Sequence, residues 1–145
     1  MVCLGNICRS PMAHGIMERI VKENDLGWEI ESAGTGDWHV GEPPDPRAIK
    51  TAAKHGIDIS GQVCRLFQIS DFDTYDYIFT MDRNNLNDLL AIARDQEDVK
   101  KIKLLLGDKI VPDPYYSDKQ FEPVFKLIEA GCRKLVGKLM LIAQA

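Results

Sequence analysis

The fold of this chain is decided near its start, by the stretch Cys3-Leu4-Gly5-Asn6-Ile7-Cys8-Arg9-Ser10-Pro11-Met12-Ala13. Apolar residues at helical spacing follow Pro11 and predict a first helix over residues 10–24. The loop over residues 3–10 is therefore expected to join a strand end to a helix N-terminus, with Gly5 easing the turn of the backbone. Successive backbone N–H groups and the helix dipole make such a loop a binding site for an anion.

The side chains of this loop predict a nucleophile beside the anion. Backbone N–H donors, the helix N-terminus and Arg9 all favour the thiolate form of Cys3 over the thiol. The planar fork of Arg9 can hold two phosphate oxygens at once, which a lysine cannot do. Ser10 is expected to donate a hydrogen bond to the Cys3 sulfur, and Asn6 to brace the loop. A Cys and an Arg at this spacing are weak signals alone, but the Gly, Asn, Ser and Pro around them favour catalysis.

Outward from this loop, the chain alternates between strand and helix patterns. Strands are predicted at residues 28–33, 75–81 and 102–106, and helices at residues 46–53, 86–93 and 121–143. No repeat or flexible linker interrupts this alternation, so residues 1–145 are expected to form a single domain. Alternating strands and helices predict an α/β fold, in which a parallel sheet is covered on both faces. Functional residues in such sheets lie beyond the carboxyl ends of the strands.

A second loop, after the last predicted strand, contains Pro112-Asp113-Pro114-Tyr115-Tyr116. Expulsion of a phenolate from a phosphate ester needs a proton donor, and Asp113 is the candidate acid and, afterwards, base. A plain surface turn is the alternative for this Pro-Asp-Pro sequence. The loop at residues 3–10 favours the catalytic interpretation, because both loops follow strands of one sheet. Tyr115 and Tyr116 are candidate walls for an aromatic ring, although ordinary packing is the alternative.

Composition excludes several classes of protein. The chain has 18 Lys and Arg residues against 22 Asp and Glu residues, so no basic field attracts nucleic acid or a membrane surface. No apolar stretch is long enough to span a bilayer, and a cytoplasmic location is expected. The four cysteines lack the spacing of a zinc site and the density of a disulfide scaffold, so free thiols and no metal are expected. Among them, Cys64 and Cys132 are interpreted as structural.

The separated motifs together resemble the low-molecular-weight protein tyrosine phosphatases. The resemblance spans nearly the whole chain and rests on residues 3–13 with the motifs Ser-Ala-Gly-Thr at 32–35, Pro-Asp-Pro-Arg-Ala at 44–48, Asp-Tyr-Ile at 76–78, Met-Asp at 81–82 and Asp-Pro-Tyr-Tyr at 113–116. It implies a flavodoxin-like, three-layer domain with a four-stranded parallel sheet in the order 2-1-3-4. It also implies a phosphocysteine intermediate on Cys3, phosphate binding by Arg9 and an acid at Asp113, with no cofactor.

Further roles follow from this resemblance. Asp82 is implied to support the loop from behind, as Asn6 and Ser10 do within it. His55, directly before Gly56, is interpreted first as a helix C-terminal residue favoured by the helix dipole, and the resemblance implies a supporting role at the loop as the alternative. Trp38 matches a variable position that lines the substrate pocket, with packing as the alternative. The resemblance implies that Cys8 forms a reversible disulfide with Cys3. The alternative is that Cys8 only packs under the loop.

The expected substrate is a phosphotyrosine-containing protein, with a tyrosine kinase as one candidate, and phosphate-like oxyanions are expected to inhibit. A monomer is expected. Two alternatives are a thiol-dependent arsenate reductase of the same fold and a non-catalytic phosphopeptide-binding module. Residues 81–95 lack the relay cysteines of the reductase, and a binding module has no need of Cys3 and Asp113.

The start of the chain departs from the family pattern. Relatives carry several apolar residues before the nucleophile, whereas only Met1 and Val2 precede Cys3. We expect from this comparison that the given sequence begins inside the first strand. His14, where relatives commonly have an acidic residue, is given little functional weight.

Overall fold

The computed structural model describes residues 1–144. Its strands and helices follow in the order β1 (Val2–Cys3), α1 (Arg9–Glu23), β2 (Ala33–Gly34), α2 (Pro46–Lys54), α3 (Asp71–Thr74), β3 (Ile78–Thr80), α4 (Arg83–Ile92), α5 (Gln96–Lys101), β4 (Ile102–Leu104) and α6 (Phe121–Gln144). A 3-10 turn at Asp118–Gln120 leads into α6. Within residues 1–144, no helix combines the length and the apolar character needed to cross a membrane.

The sheet has four parallel strands in the order β2-β1-β3-β4, which confirms the predicted topology. The short β1 lies in the centre, where Val2 pairs with Ala33 of β2 and with Thr80 of β3. Because the strands are parallel, their carboxyl ends lie at one edge of the sheet. Cys3 ends β1, so the loop that follows it begins at this edge.

Some predicted boundaries were wrong. The strand predicted at residues 28–33 is reduced to Ala33–Gly34, and that predicted at residues 75–81 to Ile78–Thr80. Helix α4 begins before the predicted Leu86 because Asp82 and Asn85 form a capping box at its start. The short helices α3 and α5 were missed. Helix α5 has the sequence Gln-Glu-Asp-Val-Lys-Lys, whose single apolar residue leaves no helical period to detect.

Two apolar layers enclose the sheet. On one face, α1, α2 and α6 bury a large cluster that includes Met12, Ile16, Ala52, Phe125 and Cys132. On the other face, a smaller cluster joins the sheet to α3 and α4 and includes Val2, Phe67, Phe72, Ile78 and Leu89. Burial of such side chains contributes about 1.5–3 kcal/mol each, so the two layers hold the short strands in place.

Candidate active site

The loop after β1 has the backbone of an anion cradle. Asn6 lies in the left-handed region with a φ of 56°, which turns the chain sharply between β1 and α1. Within residues 1–144, no backbone carbonyl accepts a hydrogen bond from the N–H groups of residues 4–8. The carbonyls of Cys3 and Leu4 instead accept from Thr35 and Gly36 at 2.9 Å each. The loop therefore keeps a run of unpaired donors at the N-terminus of α1, where an anion is favoured.

Cys3, Ser10 and Asn6 form a hydrogen-bonded chain inside the loop. The Sγ of Cys3 lies 3.0 Å from the Oγ of Ser10, and both are buried. The side-chain amide of Asn6 donates to the same Oγ at 2.8 Å. Since Asn6 occupies an acceptor position of the hydroxyl, the hydroxyl hydrogen of Ser10 has two acceptors within reach, the Cys3 sulfur at 3.0 Å and the Ala33 carbonyl at 3.5 Å, and the sulfur is the nearer one. A donor in this position stabilises a thiolate.

Segment 64–65 holds the loop from outside, and sequence reasoning did not identify this contact. The thiol of Cys64, interpreted from sequence as structural, donates to the Asn6 carbonyl at 2.7 Å. The backbone N–H of Arg65 donates to the Asn6 side-chain oxygen at 3.0 Å. Gly34 allows β2 to lie close to the loop, because a Cβ there would lie 2.8 Å from the Leu4 carbonyl oxygen. No local pattern marks these partners, which lie far away in sequence.

Arg9 connects the loop to the rest of the strand edge. Its side chain is 4% exposed, and Nη1 donates to Asp82 at 2.7 Å and to the Val111 carbonyl at 3.0 Å. Its other terminal nitrogen, Nη2, lies 3.8 Å from Oδ2 of Asp113. The structure thus brings Asp82 and Asp113 to one guanidinium. The hydrogen bond from Arg9 to the Val111 carbonyl was not predicted.

Asp113 lies in an exposed turn beside this guanidinium. Its Oδ1 accepts a hydrogen bond from the backbone N–H of Tyr115 at 3.1 Å, and its side chain is 37% exposed. The neighbouring rings of Tyr115 and Tyr116 meet edge to face, with 5.2 Å between their centroids. Trp38 is 67% exposed and its ring rests against Gly36, where a Cβ would lie 2.0 Å from ring atom Cζ3. Tyr115 and Tyr116 are also exposed, so all three rings present apolar surface to solvent.

His55 and Cys8 lie in different surroundings. His55 ends α2, where its Nε2 lies 2.5 Å from a Glu122 carboxylate oxygen and its ring stacks on Phe125 at 4.2 Å. These contacts join α2 to α6, and the structure gives His55 no hydrogen bond to the loop among residues 1–144. Cys8 is buried directly before α1, and burial raises the pKa of its thiol far above the ordinary value. Its pairing with Cys3 stays a prediction.

Across residues 1–144, no group of three or more His, Cys, Asp or Glu side chains is placed to hold a metal ion. The site combines the thiol of Cys3, the N–H donors of residues 4–8, the buried guanidinium of Arg9 and the nearby carboxyl group of Asp113. Together these groups can attack a phosphate ester and protonate its leaving group.

Comparisons with known proteins agree with this geometry. The family model described as low molecular weight phosphotyrosine protein phosphatase matches residues 1–144. Low molecular weight phosphotyrosine protein phosphatase 2 of Drosophila melanogaster is 38% identical over 94% of this chain and 88% of its own length. The protein-tyrosine-phosphatase PtpA of Staphylococcus haemolyticus is 39% identical over 93% of this chain and 88% of its own length.

Solved structures give the same result. A protein tyrosine phosphatase from Entamoeba histolytica superposes with a TM-score of 0.90 and 36% identity, covering 96% of this chain and 94% of the other. Its fold matches that of this chain along nearly the full length. This chain therefore belongs to the low molecular weight phosphotyrosine protein phosphatase family and is a protein tyrosine phosphatase.

Proposed function

We propose that this enzyme hydrolyses phosphotyrosine in proteins through a covalent phosphocysteine on Cys3. The observation that carries the proposal is the position of Arg9. Its buried guanidinium belongs to the loop of Cys3 and reaches Asp82, Val111 and, at 3.8 Å, Asp113. One cation thus lies between the nucleophile's loop and the candidate acid, where the charge of a transferring phosphoryl group develops.

In the first step, the Cys3 thiolate attacks phosphorus while the bond from phosphorus to the tyrosine oxygen breaks. Asp113 transfers its proton to that oxygen, so tyrosine leaves as a neutral phenol. Arg9 and the N–H groups of residues 4–8 stabilise the phosphoryl oxygens. Ser10 stabilises the thiolate before attack through the 3.0 Å contact.

In the second step, the Asp113 carboxylate takes a proton from water while that water attacks the phosphocysteine. The bond from sulfur to phosphorus breaks, phosphate leaves and the Cys3 thiolate is restored. Asp82 holds Arg9 through its 2.7 Å ion pair in both steps. Trp38, Tyr115 and Tyr116 are proposed to border the aromatic ring of the substrate, which supports phosphotyrosine over smaller phosphate esters.

The mechanism is tested with two aryl phosphates whose leaving groups differ. Cys3→Ser is expected to abolish turnover of both p-nitrophenyl phosphate and phenyl phosphate. Asp113→Asn is expected to lower kcat/KM by about 10²–10⁴-fold for phenyl phosphate and much less for p-nitrophenyl phosphate, whose leaving group needs no proton. Rapid quenching followed by mass spectrometry is expected to find one phosphoryl group on the Cys3 peptide.

Matched controls separate chemistry from folding. Cys132→Ala removes a buried cysteine in α6, and Asp108→Asn removes an exposed carboxyl group. Both variants are expected to retain phosphatase activity. Turnover by Cys3→Ser, or an equal loss on both substrates in Asp113→Asn, would contradict the assigned roles.

Several finer expectations rest on the same site. Phosphate-like oxyanions are proposed to inhibit competitively, because they fit the same N–H donors and Arg9. A phosphorylated tyrosine kinase stays one candidate substrate, and the monomeric state and the cytoplasmic location stay predictions. Nothing in the site favours arsenate reduction, since the relay cysteines are missing between residues 81 and 95.

A further inference from the structure

Arg47, at the start of α2, is anchored by the residue that caps this helix. The side chain of Asp45 accepts from the backbone N–H of Arg47 at 2.8 Å and from its guanidinium at 3.1 Å and 2.9 Å. Burial opposes ionisation of Asp45, but the hydrogen bonds from Arg47 hold the pKa of this carboxyl below its ordinary value. The backbone N–H of Asp45 also donates to the Ile7 carbonyl at 2.8 Å. Arg47 is therefore joined, through Asp45, to the loop of the nucleophile.

From this anchor, Arg47 reaches the segment that carries Asp113. Its Nη1 donates to Asp118 at 2.8 Å. The guanidinium carbon lies 5.3 Å from the centre of the Tyr115 ring and 4.6 Å from that of Phe121. Tyr115 in turn donates its backbone N–H to Asp113. Arg47 thus contacts the segment beside the candidate acid and again near the start of α6.

The segment over residues 113–118 is exposed except at Pro114, which is buried. The backbone N–H of Ser117 donates to the Pro114 carbonyl at 3.0 Å inside the segment, and the N–H of Gln120 donates to the Ser117 carbonyl at 3.0 Å from the turn that follows. Among residues 1–144, the ion pairs that join it to the rest of the chain come from Arg47 and Arg9. The contact from Arg9 to Asp113 is long, at 3.8 Å. Arg47 therefore supplies the shorter of the two charged attachments of the segment that carries Asp113.

We propose that Arg47 is a positioning residue that holds Asp113 in the orientation needed to protonate the leaving group. The inference rests on the proposed function, in which Asp113 is the general acid. Loss of Arg47 frees the segment while leaving Cys3, Arg9 and the N–H donors of residues 4–8 in place. Proton transfer then suffers, and phosphate binding does not, because a general acid acts only within hydrogen-bond reach.

The test replaces Arg47 by Met, which keeps an unbranched apolar side chain and removes the guanidinium. We expect kcat/KM for phenyl phosphate to fall about tenfold, a fraction of the about 10²–10⁴-fold effect typical of a general acid. For p-nitrophenyl phosphate, kcat/KM is expected to change less than about twofold, since its leaving group needs little protonation. The inhibition constant of inorganic phosphate is expected to stay the same. Asp118→Asn, which breaks an exposed contact outside the core, is expected to give the same selectivity with a smaller loss.

Arg94→Met is the matched control. Arg94 also bonds two carboxylates, Asp73 and Asp98, and its guanidinium carbon lies 6.0 Å from the centre of the Phe72 ring. It has no contact with the segment at residues 113–118, so this variant is expected to leave the ratio of kcat/KM for the two substrates unchanged. Combining Arg47→Met with Asp113→Asn is expected to add no further loss on phenyl phosphate, because the residues act as one unit.

The results distinguish a failure of this inference from a failure of the proposed function. Suppose that the loss of kcat/KM in Asp113→Asn depends on the leaving group while the losses in Arg47→Met and Asp118→Asn do not. In that case, Arg47 does not position the acid. An equal loss on both substrates, or a weaker inhibition by phosphate, would also overturn the inference. If Asp113→Asn itself shows no dependence on the leaving group, the proposed role of Asp113 fails instead.

Discussion

Single residues at this site are held by partners that satisfy their polar groups. A buried guanidinium is unfavourable unless acceptors replace its water. Arg9 meets this condition through one carboxylate, Asp82, and one carbonyl, that of Val111. Both bonds use Nη1, so Nη2 and Nε stay available to phosphate oxygens. The residue is fixed and yet able to bind, as a phosphate-binding fork requires.

Arg9→Lys is predicted to lower kcat/KM for p-nitrophenyl phosphate by about 10²–10³-fold, as loss of a transition-state donor does. A lysine keeps the positive charge but cannot bond Asp82, Val111 and phosphate with one planar group. Steady-state kinetics measures the effect. Arg83→Lys, at an exposed position of α4, is the control and should leave kcat/KM unchanged. If kcat/KM of Arg9→Lys stays within about twofold of that of the unmodified enzyme, the planar guanidinium is not required.

Cys64→Ala is predicted to lower the free energy of unfolding by about 1–3 kcal/mol, because the buried Asn6 carbonyl loses its thiol donor. The left-handed backbone of Asn6 depends on such support. Cys64→Ser keeps a donor and should recover part of the loss. Urea denaturation of the three proteins under reducing conditions gives the comparison. Equal stability of Cys64→Ala and the unmodified chain would show that the contact contributes nothing.

At the scale of elements, close packing sets where helices and loops meet. Helix α1 follows the anion-binding loop directly and also packs on the segment after α2. Gly15 makes this contact possible: a Cβ there would lie 2.6 Å from Cγ2 of Ile59 and 2.9 Å from Cγ2 of Ile57. In α6, a Cβ at Gly137 would meet no atom within 4 Å. Two helical glycines therefore have opposite environments.

Gly15→Ala is predicted to destabilise the protein by about 1–2 kcal/mol, because overpacking outweighs the better helix propensity of Ala. Gly137→Ala is the matched control and should stabilise by about 0.5–1 kcal/mol, since only propensity changes there. Both free energies of unfolding are measured by urea denaturation. A stabilised Gly15→Ala would show that Ile57 and Ile59 move aside at little cost.

For the whole molecule, the parallel sheet collects distant parts of the chain at one edge. Cys3 ends β1, Asp82 follows β3, and Asp113 follows β4. Helices α1, α2 and α6 cover one face through a shared apolar cluster. Cys132 of α6 is fully buried in that cluster, so its ionisation reports on the integrity of the fold as a whole.

Burial raises the pKa of the Cys132 thiol from its ordinary value of 9.0 to about 12. Between these values the unfolded chain releases this proton and the native protein retains it. The free energy of unfolding is therefore predicted to fall as the pH rises through this window, by up to about 1.4 kcal/mol per pH unit from this group. Cys132→Ala should give a shallower slope in urea denaturation under reducing conditions. Identical slopes would mean that Cys132 does not contribute.

The sequence by itself determined the α/β class, the order of the sheet and the family. The α/β class follows from apolar periodicity. The family follows from motifs such as residues 3–13, and the resemblance to that family implied the order of the sheet. Periodicity and motifs are local features. Helix α5 was not predicted, because its mostly charged sequence has no helical period of apolar residues. Only the tertiary structure decided which groups support the site: Val111 for Arg9, 102 residues away, and Cys64 for Asn6, 58 residues away. Such partners depend on how layers pack around the sheet, and a backbone carbonyl or a buried thiol carries no mark of that packing in the sequence.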